Sequence, residues 1–341
     1  MSTTSPRIVI YGTGRYGNDV TRMATAKGWQ VVAAYNRAGP KVGQDIGRLA
    51  GLEEDLGILV QDCDLADYST LDADIAIVAT SDRLADNMDI FERLLPAGVN
   101  VLSHNTESYL PWAVDHELAS RIHEMATNAG VTFTGGGIWD MSRIWSGILA
   151  AAPCIDIESL HHTSRTNLGK SKTVGELAGI GFSHKRFQAE LLDERGPIGE
   201  LYKLIPWHVT QALGYEVTNV VERREPVLFD TPVFASGIGR DIPPGEPAGL
   251  RVLVDVSTAE GMTAHAHIEL RCCAEGEDDF MRWRVDGDPS STVHVDRQVG
   301  PPGSATSLIN RVHDVIAAPS GICEVHKLGP PKHSAKLGSM R

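Results

Sequence analysis

The stretch RIVIYGTGRYGNDV, residues 7–20, decides the fold. RIVIY is near-continuously apolar, as a strand buried on both faces must be. Residues 16–27 carry a helical pattern, and Gly12, Gly14 and Gly17 stand at the junction as G-x-G-x-x-G. The three glycines do different things. The first allows the tight turn, the second lets the backbone approach a pyrophosphate, and the third lets helix and strand pack closely. The motif alone is weak. Here a strand precedes it, a helix follows, and QVVAAY (30–35) supplies the next strand. That context implies a dinucleotide held by Gly12, Thr13, Gly14, Arg15, Tyr16 and Gly17.

Outward from this turn the alternation continues. LGILV (56–60), DIAIVAT (74–80), VNVLS (99–103) and VTFT (131–134) read as further short strands. The helical patterns LADNMDIFERLLPAG and PWAVDHELASRIHEMATNAG separate the last three. Beyond TGGGIWD (134–140) the character changes to longer alternating strands: IDIESLHH, EVTNVVERRE, LRVLVDVST and MTAHAHIELRCC. In the last, Ala264, Ala266, Ile268 and Leu270 share one face, with His265, His267, Glu269 and Arg271 on the other. Such a sheet has one covered face. The expected class is α/β: a Rossmann-type doubly wound parallel sheet plus a second α/β domain with an open, mainly antiparallel sheet. The dinucleotide-binding domain is expected at 1–135, completed by a C-terminal helical segment at 303–341. A substrate and dimerisation domain is expected at 136–302.

The bulk properties narrow the partners. At 341 residues two cores are the default. A net charge of −13 argues against nucleic acid and against an anionic membrane surface. No run of about 18 apolar residues is present, and the N-terminal MSTTSPR lacks an apolar signal core. Five cysteines, an odd number without C-x-x-C, read as reduced thiols in the cytoplasm rather than as a disulfide or zinc framework. No metal site is expected. An open sheet seldom stays bare, so a homodimer is expected.

The end of the second strand bears on the choice of dinucleotide. A carboxylate is expected there, roughly 20 residues past the first glycine, to bond the ribose hydroxyls. The chain has Asn36 and Arg37 instead, with Arg15 and Lys41 as further cations. A neutral amide tolerates a 2′-phosphate and a guanidinium grips it, which points to NADP(H), with NAD(H) left open. Arg37 is equally readable as a solvated surface arginine.

Ligands of a doubly wound sheet sit outside the carboxyl ends of its strands. Thr80 and Ser81 reach that edge after one strand, and SHNTESYLPW (103–112) after the next. Glu107 therefore has two readings. Beside a nicotinamide it would stabilise a cationic iminium or act as a base; otherwise it faces solvent or bonds backbone amides where a helix begins near Pro111. Tyr109 is a candidate proton donor. His161 and His162 point to opposite faces of one strand, so at most one reaches a shared pocket. His265 and His267 read as a solvated sheet face.

The run VVAAYNRAGPKVGQDIGRLAGL (31–52) resembles the N-terminal domain of dihydrodipicolinate reductase. Over nearly its full length the chain resembles 2,4-diaminopentanoate dehydrogenase and the NAD(P)-dependent amine dehydrogenases. IYGTGRYG, KVGQDIGRLAGL, NVLSHNTESYLP, GELAGIGFS (175–183) and LINRVHDVIAAPSGI (308–322) carry this through their order and spacing. The resemblance implies that Glu107 is the catalytic carboxylate and that the substrate is an amine or its carbonyl. Either His161 or His162 could donate a proton or bond substrate, His161 being the second catalytic candidate, and either is equally readable as a half-buried strand histidine. Where that family shows G-x-N-P-G, this chain has GGGIWDMSRIW (135–145), whose Trp139, Asp140 and Trp145 would reshape a pocket wall, with His162 as a further lining residue. Arg165 and NLGKSKT (167–173) replace the lysine and dicarboxylate-gripping loop of the reductase, which argues against dihydrodipicolinate. A ketone or cyclic imine reductase needing no ammonia, and an NADP-sensing regulatory protein, are the rival readings.

Overall fold

The structure, a computed structural model, describes residues 5–195, 197–296 and 303–333. It divides into two compact units, residues 1–141 with 299–341 and residues 142–298. The expected boundary at 302 falls among residues 297–302, outside those described.

In the first unit, β1 (Arg7–Tyr11), β2 (Gln30–Asn36), β3 (Val60–Asp62), β4 (Ile75–Val78), β5 (Asn100–Ser103) and β6 (Thr132–Gly135) are joined by Gly321–Ile322. All seven are parallel, in the order (Gly321–Ile322)-β6-β5-β4-β1-β2-β3. The order reverses beside β1, which makes the carboxyl ends of β1 and β4 the ligand crevice.

Side chains of β1 alternate between two cores. Ile8 and Ile10 pack with Val20 and Ala24 of α1 (Arg15–Ala26) and with Leu308, Ile309 and Val312 of the C-terminal helix Gly303–Ile316. Val9 and Tyr11 pack with Phe91 of α2 (Met88–Leu94) and Ile122 of α3 (His116–Ala129). Each fully buried aliphatic side chain contributes about 1.5–3 kcal/mol. Asp115 caps α3, accepting from the amides of Glu117 and Leu118, and Gly130 ends it at φ +69°.

Two expected elements differ. The strand expected at 56–60 is β3, displaced to Val60–Asp62. The Asp45 carboxylate accepts from the amides of Gly47, Arg48, Leu56 and Ile58, so a side chain takes up donors that a longer ladder would have used. The C-terminal helix ends at Ile316, and the chain then turns at Gly321 (φ +99°) to add the seventh strand.

The second unit is built on β7 (Asp156–Asn167), β8 (Val217–Pro226), β9 (Gly249–Thr258), β10 (Thr263–Arg271), β11 (Phe280–Asp288) and β12 (Ser291–Asp296). Their order is β12-β11-β7-β10-β9-β8. Only β7 and β10 pair in parallel; the other four pairings are antiparallel. Helices Ser146–Ala151 and Leu204–Ala212 pack on this sheet. A Cβ at Gly147 would lie 2.8 Å from Trp283 and 2.9 Å from Val209, so a glycine is required for that approach. Leu160, His162 and Ser164 of β7 are buried, whereas His161, Thr163 and Arg165 are half-exposed on the other face.

Candidate active site

The glycine turn has the geometry its spacing implies. Gly12 lies at φ +95°, and a Cβ there would stand 2.5 Å from the Ala79 carbonyl oxygen. At Gly17 it would stand 2.0 Å from the Gly12 carbonyl oxygen. At Gly14 nothing lies within 4 Å. The approach to the N-terminus of α1 is therefore open where the other two glycines are closed by backbone. Gly14 gives α1 no side-chain cap, and its first turn holds no acid. The Thr13 hydroxyl is buried without a hydrogen-bond partner, and Lys41 Nζ holds the Thr13 carbonyl at 2.6 Å. An open helix N-terminus, an unsatisfied hydroxyl and nearby cations fit a dinucleotide pyrophosphate.

At the end of β2, Arg37 is exposed and Asn36 half-buried. The ladder sets Asn36 opposite Asp62 of β3. This carboxylate, which sequence spacing did not single out, accepts from the Asp64 amide of its own turn. Asp62, Cys63 and Asp64 bring three ligand-type atoms within 4.8 Å of one another. Arg93 already bonds the Cys63 carbonyl and the Asp64 carboxylate there.

The loops after β4 and β5 are locked to each other. The Thr80 hydroxyl donates to the Asn87 side-chain oxygen, and Ser81 donates to Asp86 at 2.6 Å. Asn87 in turn donates to the carbonyls of Ser81 and Arg83. Across the loops, Asp82 accepts from the Thr106 hydroxyl at 2.7 Å, and the Glu107 amide donates to the Asp82 carbonyl at 3.1 Å. Glu107 Oε2 accepts from the Leu84 amide at 2.6 Å, and Oε1 lies 3.9 Å from Arg83 Nη1. A backbone group that seats Glu107 is thus on the loop after β4. With its side chain 14% exposed, the carboxylate is oriented at the carboxyl edge of the sheet and still reachable.

Sequence reading passed over His104. It follows β5 directly, its amide donates to the Val78 carbonyl at 2.8 Å, and its ring lies 4.3 Å from that of Tyr16 in the glycine turn. A polar residue immediately after a parallel strand was the available signal.

The GGGIWD segment is explained by close approach. A Cβ at Gly135 would meet the Ser108 backbone at 2.4 Å, and one at Gly136 would meet Leu102 at 2.8 Å. Trp139 pairs with Tyr109 at a ring separation of 5.9 Å. Burial keeps the Tyr109 phenol well above its ordinary pKa and so protonated. Asp140 does not form a pocket wall. It is buried against Arg311 of the C-terminal helix, which reaches its two oxygens at 2.5 and 2.9 Å.

His161, His162 and Trp145 belong to the second unit. His161 lies on the open sheet face, with Ser159 Oγ at 2.8 Å, Asp286 at 3.1 Å and the His265 ring stacked at 5.3 Å. Burial lowers its pKa, against the pull of Asp286. It borders a depression of about 300 Å³ shared with Thr163, Arg282, Arg284 and Thr292. His162 is 1% exposed, in a buried polar cluster with Arg143 and Ser164 and a ring contact to Trp283. Burial and the Arg143 charge hold it well below its ordinary pKa, hence neutral. Trp145 is buried.

The glycine turn, strand order and loop edge define an NAD(P)-dependent dehydrogenase of the Rossmann type. An amine dehydrogenase from Mycobacterium smegmatis is similar to the chain at 25% identity, with a TM-score of 0.82 and 98% of each chain covered. The resemblance to amine dehydrogenases drawn from the sequence thus extends to the whole structure. Myo-inositol 2-dehydrogenase from Lactobacillus plantarum shares the fold at 14% identity, with a TM-score of 0.54 over 86% of this chain and 76% of that one. GenD2 from gentamicin A biosynthesis, in complex with NAD, shares it at 17% identity, with a TM-score of 0.52 over 87% and 74%. No family model and no curated protein matches the chain. Among the described residues no helix is long and apolar enough to cross a membrane.

Proposed function

We propose that the protein is an NADP(H)-dependent amine dehydrogenase, interconverting an amine with its carbonyl and ammonia through a C=N centre. The observation that carries this reading is Glu107, a carboxylate seated on the Leu84 amide at the strand edge that the glycine turn also occupies. Bound NADPH supplies the hydride. Glu107 stabilises the cationic iminium; a unit charge pair at about 4 Å and an effective dielectric of about 20 is worth about 4 kcal/mol. Tyr109 and Trp139 offer an aromatic wall to the substrate carbon chain. Exposed Arg37, beside the neutral Asn36, is assigned to the 2′-phosphate.

The open face of the second sheet is assigned to a homodimer. It mixes Arg223, Asp255, Arg251, Glu225 and Glu269 in cross-strand pairs, and alternating charge of this kind is able to complement a rotated copy of itself. The five free cysteines support a reducing, cytoplasmic setting.

The test is NADPH oxidation against a panel of aldehydes, ketones and cyclic imines, with and without ammonium. Wild type, Glu107→Gln and Arg37→Ala are compared. Ammonium-dependent turnover lost in Glu107→Gln supports the reading, and Arg37→Ala then lowers the NADPH-over-NADH preference about tenfold or more. Turnover indifferent to ammonium makes the protein a carbonyl or imine reductase. Tight NADPH binding with no hydride transfer makes it a nucleotide sensor.

A further inference from the structure

The first unit brings one more ionisable side chain to the Glu107 loop. His104 precedes Glu107 by three residues, directly after β5. One face of its ring packs on Tyr16 of the glycine turn. On another side it approaches Gly137: a Cβ built there would lie 3.4 Å from His104 Cδ2, 3.6 Å from its Nε2 and 3.2 Å from the Tyr109 hydroxyl. The imidazole therefore spans from the turn that holds the dinucleotide to the Tyr109–Gly137 side of the same edge. It is only half-buried. Among the described residues neither ring nitrogen has a hydrogen-bond partner, although Asp82 and Arg15 are near enough to act on it through space. An oriented imidazole with both nitrogens open, three residues along the same loop from a seated carboxylate, is a proton-handling arrangement in search of a ligand.

We propose that His104 is a second catalytic residue, one that relays a proton from ammonium to the departing hydroxyl during imine formation. The inference rests on the amine dehydrogenase reading above. The chemistry needs such a group. Ammonium has no lone pair until it gives up a proton, which neutral His104 accepts. Ammonia then attacks the carbonyl carbon, the C–N bond forms, and one nitrogen proton moves to the oxygen. The resulting carbinolamine loses its hydroxyl as water when His104 returns its proton to that oxygen and the C–O bond breaks. In sum, the carbonyl compound and ammonium become the iminium cation and one water. Atoms and the single positive charge balance, and His104 ends neutral. Glu107 faces the cation so formed. Burial lowers the His104 pKa below its ordinary 6.5, with Asp82 opposing and Arg15 assisting, so the accepting form is the resting one.

The relay acts before hydride transfer, so a preformed imine should bypass it. The experiment uses His104→Gln, with His104→Asn as a second variant. Both are assayed with the best carbonyl of the panel plus ammonium, with a preformed cyclic imine, and by NADPH titration without substrate. The expected result is a loss of about a hundredfold in kcat for amination. Imine reduction and the NADPH Kd should stay within about threefold of wild type. Equal losses on both substrates, or a weakened NADPH Kd that accounts for the loss, would overturn the proposal in favour of a structural or cofactor contact. A wild type that reduces the imine but never uses ammonium removes the amine dehydrogenase reading itself, whatever the variants do.

Discussion

Replacing Asp140 by asparagine tests how the GGGIWD segment is held. In the native chain the Arg311 guanidinium, fully buried, donates to both Asp140 oxygens, to Asp314 at 2.9 Å and to the Gly329 carbonyl at 2.8 Å. Burial works to lower the Arg311 pKa and these bonds outweigh it, while burial pushes the Asp140 carboxyl up against the pull of Arg311. Asparagine keeps one oxygen but sets an NH2 donor against a guanidinium donor. One charge-assisted bond is lost, at about 1.5–3 kcal/mol, and a buried donor goes unsatisfied, at about 1–3 kcal/mol. The range for breaking a buried pair is about 3–5 kcal/mol. Asp314 still faces the cation, so the lower end applies, about 3 kcal/mol. For a folding unit of this size that lowers the thermal midpoint by about 6–12 °C. The assay is thermal unfolding followed by circular dichroism, alongside the double variant Asp140→Leu/Arg311→Met. The double variant should recover part of the loss, because it removes the unpaired buried guanidinium, while Asp314 and the Gly329 carbonyl lose their donor. A single-variant shift under about 2 °C would refute the reasoning, since the pair would then not be holding the segment.

The glycine turn and the acid limb of stability are open to the same kind of test. Gly17→Ala should destabilise the first unit and abolish dinucleotide binding, because its Cβ would sit 2.0 Å from the Gly12 carbonyl oxygen. Gly14→Ala, with open space around it, should leave the thermal midpoint of the free protein within about 2 °C while raising the dinucleotide Kd about tenfold or more; thermal unfolding and isothermal titration check the two variants. At low pH, Glu277 matters: hydrogen bonds from Arg271 depress its pKa from 4.5 to about 2, with Arg165 adding its charge. A depressed folded-state pKa gives stability that is present above the unfolded value and lost as pH falls through the folded one. The native second unit should lose stability between about pH 4.5 and about 2, and Glu277→Gln should flatten that limb of an acid-denaturation curve.

Whatever repeats at short range was legible in the chain alone. Apolar runs of strand length, helical periodicity between them and three glycines at fixed offsets specify a parallel doubly wound sheet and its dinucleotide turn. A loop that follows such a strand must come to its carboxyl edge, which is how Glu107 stood out from sequence. Alternation along MTAHAHIELRCC likewise announced a sheet with one open face. The partners of each side chain, by contrast, were settled by the folded arrangement. Leu84 seats Glu107 from 23 residues away, Asp140 meets Arg311 across 171, and Asp45 takes the amides of a strand expected at 56–60. The same holds for His104, whose ring is placed by Tyr16 of a different loop. His161 and His162 are adjacent in sequence, yet one lies half-exposed on the open face and the other is buried against Arg143 and Trp283. The physical reason is common to all of these. Backbone periodicity is local and is written in neighbouring residues, whereas a side chain's hydrogen bonds and desolvation depend on which distant segments close around it.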